Sequence, residues 1–95
     1  MFEYITKRDG RVAPFDEKKI AEAMSRAFDA SINSASADMI NELTRQVIVS
    51  LEKKIGVNVA PSVEQVQDAV ERVLIDNGFV VTAKSYILYR AELTS

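Results

Sequence analysis

The dipeptide Asp9-Gly10, set between the short alternating runs FEYITK (residues 2–7) and RVAPF (residues 11–15), constrains the chain more than any other feature. Both runs alternate apolar with polar side chains, and Asp-Gly tolerates the positive φ angles of a tight turn, so the first fifteen residues predict a β-hairpin. Pro14 lacks a backbone donor, which makes the second strand short or an edge strand. From Asp16 onward the apolar period changes from two to that of a helix.

Asp16 is placed to cap a helix over residues 17–30, where Ile20, Met24, Ala27 and Phe28 recur on one face. The Ser- and Asn-rich segment 30–38 reads as a loop whose last residues cap a second helix to about residue 54. Its buried stripe is Ile40, Leu43, Val47 and Leu51, and Gly56 closes it, with Lys53 and Lys54 against the negative end of its dipole. VNVAP (57–61) offers a short extended piece that can join the hairpin as a third strand. Ser62 with Gln65 forms a capping box that opens a third helix over 63–76, with Val63, Val66, Val70, Val73 and Leu74 on one side, and Asn77-Gly78 ends it. A last helix over 80–93 puts Val80, Ala83, Ile87 and Arg90 on one stripe; an Arg on a core-facing stripe is unusual. The fold class that follows is α+β and mainly helical, a single domain (1–95) in which a hairpin or small three-stranded sheet caps one end of a four-helix bundle.

Chemistry is narrowed by what is missing. The chain has no Cys and no His, so thiolate zinc sites and the commonest general base are excluded, and catalysis would rest on carboxylates, Lys, Tyr or hydroxyls. No apolar run approaches the roughly eighteen residues of a membrane span. No signal sequence precedes the first structured segment, and a cytoplasmic setting is the expectation. A formal charge of -2 argues against coating nucleic acid by general electrostatics.

Against that acidic balance, Lys7, Arg8, Arg11, Lys18 and Lys19 crowd into residues 5–20. An Asp-Gly turn flanked by cations is commonly only a solvated turn. Here, however, Lys7 and Arg8 precede the turn, Gly10 permits close approach to the backbone, and Lys19 lies in the first turn of the following helix. Helix N-terminal amides with several cations nearby attract anions, phosphate above all. No GxxxxGK[ST] loop or dinucleotide fingerprint is present, so a phosphate site here is of another design.

Three blocks, TKRDGRVAPFDEKKI, PSVEQVQDAVERVLIDNG and AKSYILYRAEL, stand in order across residues 3–92. Together they resemble the ATP-cone, the nucleotide-binding regulatory domain found at the N-terminus of many ribonucleotide reductases and in the repressor of their genes. The resemblance implies a domain without catalysis of its own that binds ATP or dATP, with Mg2+, and switches its parent enzyme by changing the oligomeric state. Position by position it implies Lys7, Arg8 and Lys19 on the phosphates, with Asp9 and Gly10 shaping the turn. Ile5, Ile20 and Val66 would wall the adenine, Asp16 and Gln67 would make polar contacts to the nucleoside, and Ile87 with Arg90 would represent the last helix. Ala13, Val63 and Ala91 depart from the family, standing where some members carry an acidic residue, Thr and Lys. Discrimination between ATP and dATP therefore stays open.

A reductase needs thiols for radical chemistry and the repressor a Cys-rich zinc ribbon, so the resemblance points to the N-terminal cone of a reductase large subunit, an oxidoreductase whose subunits are the implied partners. RVAPFD and AKSYILYR look more like the anaerobic or cobalamin-dependent types than the aerobic one. The cone of a transcriptional repressor stays an alternative within the resemblance, and two other classes compete. A nucleic-acid module would use the basic hairpin as a wing, which the net acidity and the lack of a continuous row of Lys or Arg along any one helix disfavour. A bare helical interaction domain accounts for the fold but leaves the cations without a purpose.

Overall fold

In the computed structural model, which describes residues 1–94 and side chains through Glu92, the elements follow in the order β1 (Tyr4–Thr6), β2 (Val12–Pro14), α1 (Glu17–Asp29), α2 (Ala37–Ile55), α3 (Val63–Asp76) and α4 (Val80–Thr94). These bounds lie within a residue of the predicted helices. Ser95 lies outside the described residues.

β1 and β2 pair antiparallel with Ile5 opposite Ala13. The tight Asp-Gly turn is present, with Gly10 at a positive φ, +87°, and Asp9 not. The Gly10 N–H donates to the Lys7 carbonyl at 3.0 Å and the Lys7 N–H to the Arg11 carbonyl at 2.7 Å. This is a three-residue loop ending in a glycine bulge. Asp9 ties it internally, accepting from the Arg11 amide at 3.1 Å and from Arg11 Nε at 2.7 Å.

The segment 57–61 does not form a third strand. Only one parallel bridge, Thr6 with Ser62, links it to β1, through the Thr6 N–H on the Pro61 carbonyl at 2.9 Å. Pro61 has no donor to continue a ladder, and Ser62 is already committed to capping α3. That cap is the expected box: Ser62 Oγ accepts from the Gln65 amide at 3.0 Å while Gln65 Oε1 accepts from the Ser62 amide at 2.9 Å.

Each helix packs on two others, α1 on α2 and α4, α3 on α2 and α4, so α1 and α3 stand diagonally across the bundle. The apolar stripes of α1, α2 and α3 meet inside as expected, with Met24, Val47, Leu51, Val70 and Leu74 almost wholly enclosed. Phe28 and Phe79 pack edge to face across the α1–α4 contact at 5.0 Å.

α4 is corrected by about one position of rotation. Its buried face is Thr82, Ala83 and Tyr86, whereas Val80 and Ile87 are 51% and 43% exposed. Both faces of α4 are rich in apolar residues, so periodicity alone does not tell which turns inward. Polar groups decide it: Thr82 Oγ1 is bonded to Ser31 Oγ and to Asn33 Nδ2, each at 3.0 Å, which pins the α1–α2 loop onto α4.

Candidate functional site

Because α1 and α3 are diagonal rather than adjacent, a gap opens between them at the hairpin end of the bundle. The resulting cleft encloses about 430 Å³, within the roughly 300–1,000 Å³ range of small-molecule sites. Ile5 and Lys7 of β1 and Ala13, Pro14 and Phe15 of the second arm roof it. Phe15 is held in place by Phe2, ring centroids 5.4 Å apart. Lys19, Ile20, Glu22, Ala23 and Arg26 of α1 form one wall, Val63, Val66, Gln67 and Val70 of α3 the other, and Tyr86 and Tyr89 of α4 the floor. Asp16 stands at the edge where α1 begins, its Oδ1 capping the Lys18 amide at 3.0 Å.

The cleft is apolar along its middle and charged at its ends. Among the described residues, neither Lys7 nor Lys19 makes an ion pair. Two uncommitted ammonium groups therefore face the opening beside the N-terminus of α1, where backbone N–H groups add positive potential. Arg11, by contrast, is neutralised by Asp9 at 2.7 Å. At the far end Arg26 Nη1 donates to Tyr89 Oη at 3.1 Å, and its guanidinium lies 6.0 Å from that ring's centroid. The Tyr86 phenol, buried under the cleft, is pushed up well above the ordinary tyrosine range by desolvation, only partly offset by the nearby Arg90 charge.

Of the residues singled out from sequence, Ile5, Lys7, Asp16, Lys19, Ile20, Val66 and Gln67 come together in this cleft. Gln67, which by its position resembles a surface residue, is only 7% exposed. Arg8 sits at the rim, its Nη2 donating to Gln67 Oε1 at 2.9 Å and its Nη1 3.5 Å from Glu64. Asp9 and Gly10 belong to the turn and do not line the cleft, nor do Ile87, which is exposed, and Arg90, which is bound to α3. Sequence reasoning missed Glu22 and Arg26 as lining residues, although they follow Lys19 at i+3 and i+7 and so share its face. It also missed Tyr89, whose only signal was its position three residues after Tyr86.

Comparison with known proteins places the chain in a family. A family model described as ATP cone domain matches residues 3–94. The vitamin B12-dependent ribonucleoside-diphosphate reductase of Thermoplasma acidophilum is 38% identical over 97% of this chain and 12% of its own length. The ribonucleoside-diphosphate reductase subunit alpha of Chlamydia pneumoniae is 36% identical over 90% of this chain and 9% of its own. A vitamin B12-dependent ribonucleoside-diphosphate reductase of Mycobacterium tuberculosis is 35% identical over 90% of this chain and 12% of its own. The chain thus spans about a tenth of the length of the relatives it matches. On the family match over residues 3–94, this chain belongs to the ATP-cone domain family.

Proposed function

We propose that the domain is an allosteric adenine-nucleotide site, binding ATP or dATP in the cleft between α1 and α3, and that its parent chain is a cytoplasmic ribonucleotide reductase large subunit. The observation that carries this reading is the pairing of an apolar slot with two lysines, Lys7 and Lys19, that have no carboxylate partner among the described residues. A flat base gains from burial between Ile20 and Val66, and a triphosphate gains from charge-assisted bonds that the lysines do not make within the chain. Asp16 and Gln67 supply polar contacts for the nucleoside.

The donor set also suits Mg2+ arriving with the nucleotide. No group of three or more acidic residues able to hold a metal exists among the described residues. Mg2+ is commonly bound through phosphates, waters and one or two carboxylates, a role Asp16 or Glu22 can fill. The domain itself performs no catalysis in this reading. A nucleotide that touches roof and both walls biases their relative positions, and control of the parent enzyme follows through association of its subunits.

Calorimetric titration of the chain with ATP, dATP and a DNA duplex tests the proposal. Saturable binding of both nucleotides with weak binding of the duplex is expected. Duplex binding without nucleotide binding would favour the basic hairpin as a nucleic-acid wing and overturn the nucleotide site.

A further inference from the structure

The contact between Arg8 and Gln67 links two parts of the cleft that are chemically unlike. Arg8 lies on the hairpin turn with its side chain 41% exposed at the mouth, and Gln67 lies on α3, 7% exposed and lining the interior. The 2.9 Å bond runs from Arg8 Nη2 to Gln67 Oε1. A guanidinium has only donors, so it accepts no orientation of the amide except oxygen toward itself. The amide NH2 is then the group Gln67 offers to whatever enters the cleft. Glu64, one turn before Gln67 on α3, stands 3.5 Å from Arg8 Nη1 and draws the same guanidinium onto this helix face. Five N–H donors exceed what these two contacts use, so Arg8 can hold Gln67 and still meet a phosphate.

Resting on the nucleotide reading above, we propose that Arg8 is a positioning residue for Gln67: by holding the amide oxygen it presents the NH2 as a fixed donor to an acceptor atom on the nucleoside half of the ligand. Arg8 thereby acts on the nucleoside as well as on the phosphates, and it does so before any phosphate arrives. An unpaired amide would be free to turn either end toward the cleft, and a wrong end facing an acceptor weakens binding.

The test is a double-mutant cycle read by calorimetry with ATP, joined to adenosine binding followed by NMR at millimolar concentration. Arg8→Ala is expected to weaken ATP roughly tenfold and Gln67→Ala about fivefold. The double variant is expected to be no weaker than Arg8→Ala alone, since the Gln67 contribution is already lost there. Arg8→Ala is also expected to weaken adenosine as much as Gln67→Ala does, although adenosine carries no phosphate. Should Gln67→Ala lose helical circular dichroism, Gln67→Met fills the same volume and takes its place. Losses that multiply in the double variant, or adenosine affinity unchanged in Arg8→Ala, would overturn the positioning role while leaving nucleotide binding intact. Adenosine silent on the wild-type chain while ATP binds would overturn it as well. Absence of heat with ATP on the wild-type chain would bring down the nucleotide reading and this role together.

Discussion

Arg90 Nη1 lies 2.6 Å from Glu71 Oε1 and 2.8 Å from Asp68 Oδ1, so the last helix is fastened to α3 by one guanidinium between two carboxylates. The Arg90 side chain is 18% exposed and that of Glu71 24%, which takes the pair out of the class of freely solvated surface bridges. The family resemblance placed Arg90 among the ligand residues; in the folded chain it braces the cleft floor from behind. Arg90→Met is predicted to lower stability by about 1–3 kcal/mol, because Glu71 keeps its partial burial and loses its partner. Urea unfolding measures this, and an unchanged midpoint would show the clamp to be idle.

Tyr86 makes an alkaline prediction. Its folded-state pKa is raised above the ordinary value of about 10 by burial. A raised pKa means that the folded state holds the proton more tightly than the unfolded one. The contribution to stability is complete below about pH 10 and declines as the pH rises beyond it. Thermal unfolding between pH 8 and 11 is expected to show a falling midpoint that Tyr86→Phe removes in part, with phenolate absorbance at high pH reporting the ionisation itself. Normal titration of all the tyrosines in the folded chain would contradict this.

The hairpin cations are predicted to be unequal. Lys19→Ala removes an ammonium that makes no ion pair among the described residues and is expected to weaken ATP by roughly tenfold, whereas Arg11→Ala removes a charge already matched by Asp9 and changes affinity little. Calorimetry on the two variants decides it, and equal losses would mean that only the summed charge of the hairpin matters.

Thr82 is fully buried, with its hydroxyl between Ser31 and Asn33. Thr82→Val keeps the shape and deletes the hydroxyl, so about 1–2 kcal/mol of stability is expected to be lost as the Asn33 side-chain amide loses its acceptor, while Ser31 Oγ keeps the Phe28 carbonyl and the Asn33 N–H as partners. Differential scanning calorimetry of the variant is the measurement; a melting temperature equal to that of the wild type would refute it.

For the parent protein, saturating dATP is expected to promote association more than saturating ATP does. On the proposed reading both nucleotides occupy one cleft, so opposite effects require complexes that differ in geometry or in number of nucleotides bound. Analytical ultracentrifugation under each nucleotide is decisive, and identical sedimentation would count against an oligomeric switch.

What the sequence by itself determined was most of what depends on neighbours along the chain, the cleft-lining role of Glu22 and Arg26 excepted. Asp16 and Ser62 cap the helices they precede because their side chains reach N–H groups two or three residues on, and Ile20, Met24, Val66 and Val70 face inward because each stripe is set by the helical period. The cations of residues 5–20 were legible for the same reason, as was the family resemblance that the comparison bears out. Only the tertiary structure decided what depends on contacts between distant segments. The rotation of α4 follows from where the Ser31 and Asn33 side chains meet Thr82, about fifty residues away in sequence, and not from its own apolar pattern. Arg90 turned toward α3 because carboxylates wait there, and Gln67 was buried because the hairpin folds over it and Arg8 takes its oxygen. Local periodicity specifies which side of a helix can be buried; the partner that buries it is specified by packing, and that packing opened a cleft between two helices that never touch in the sequence.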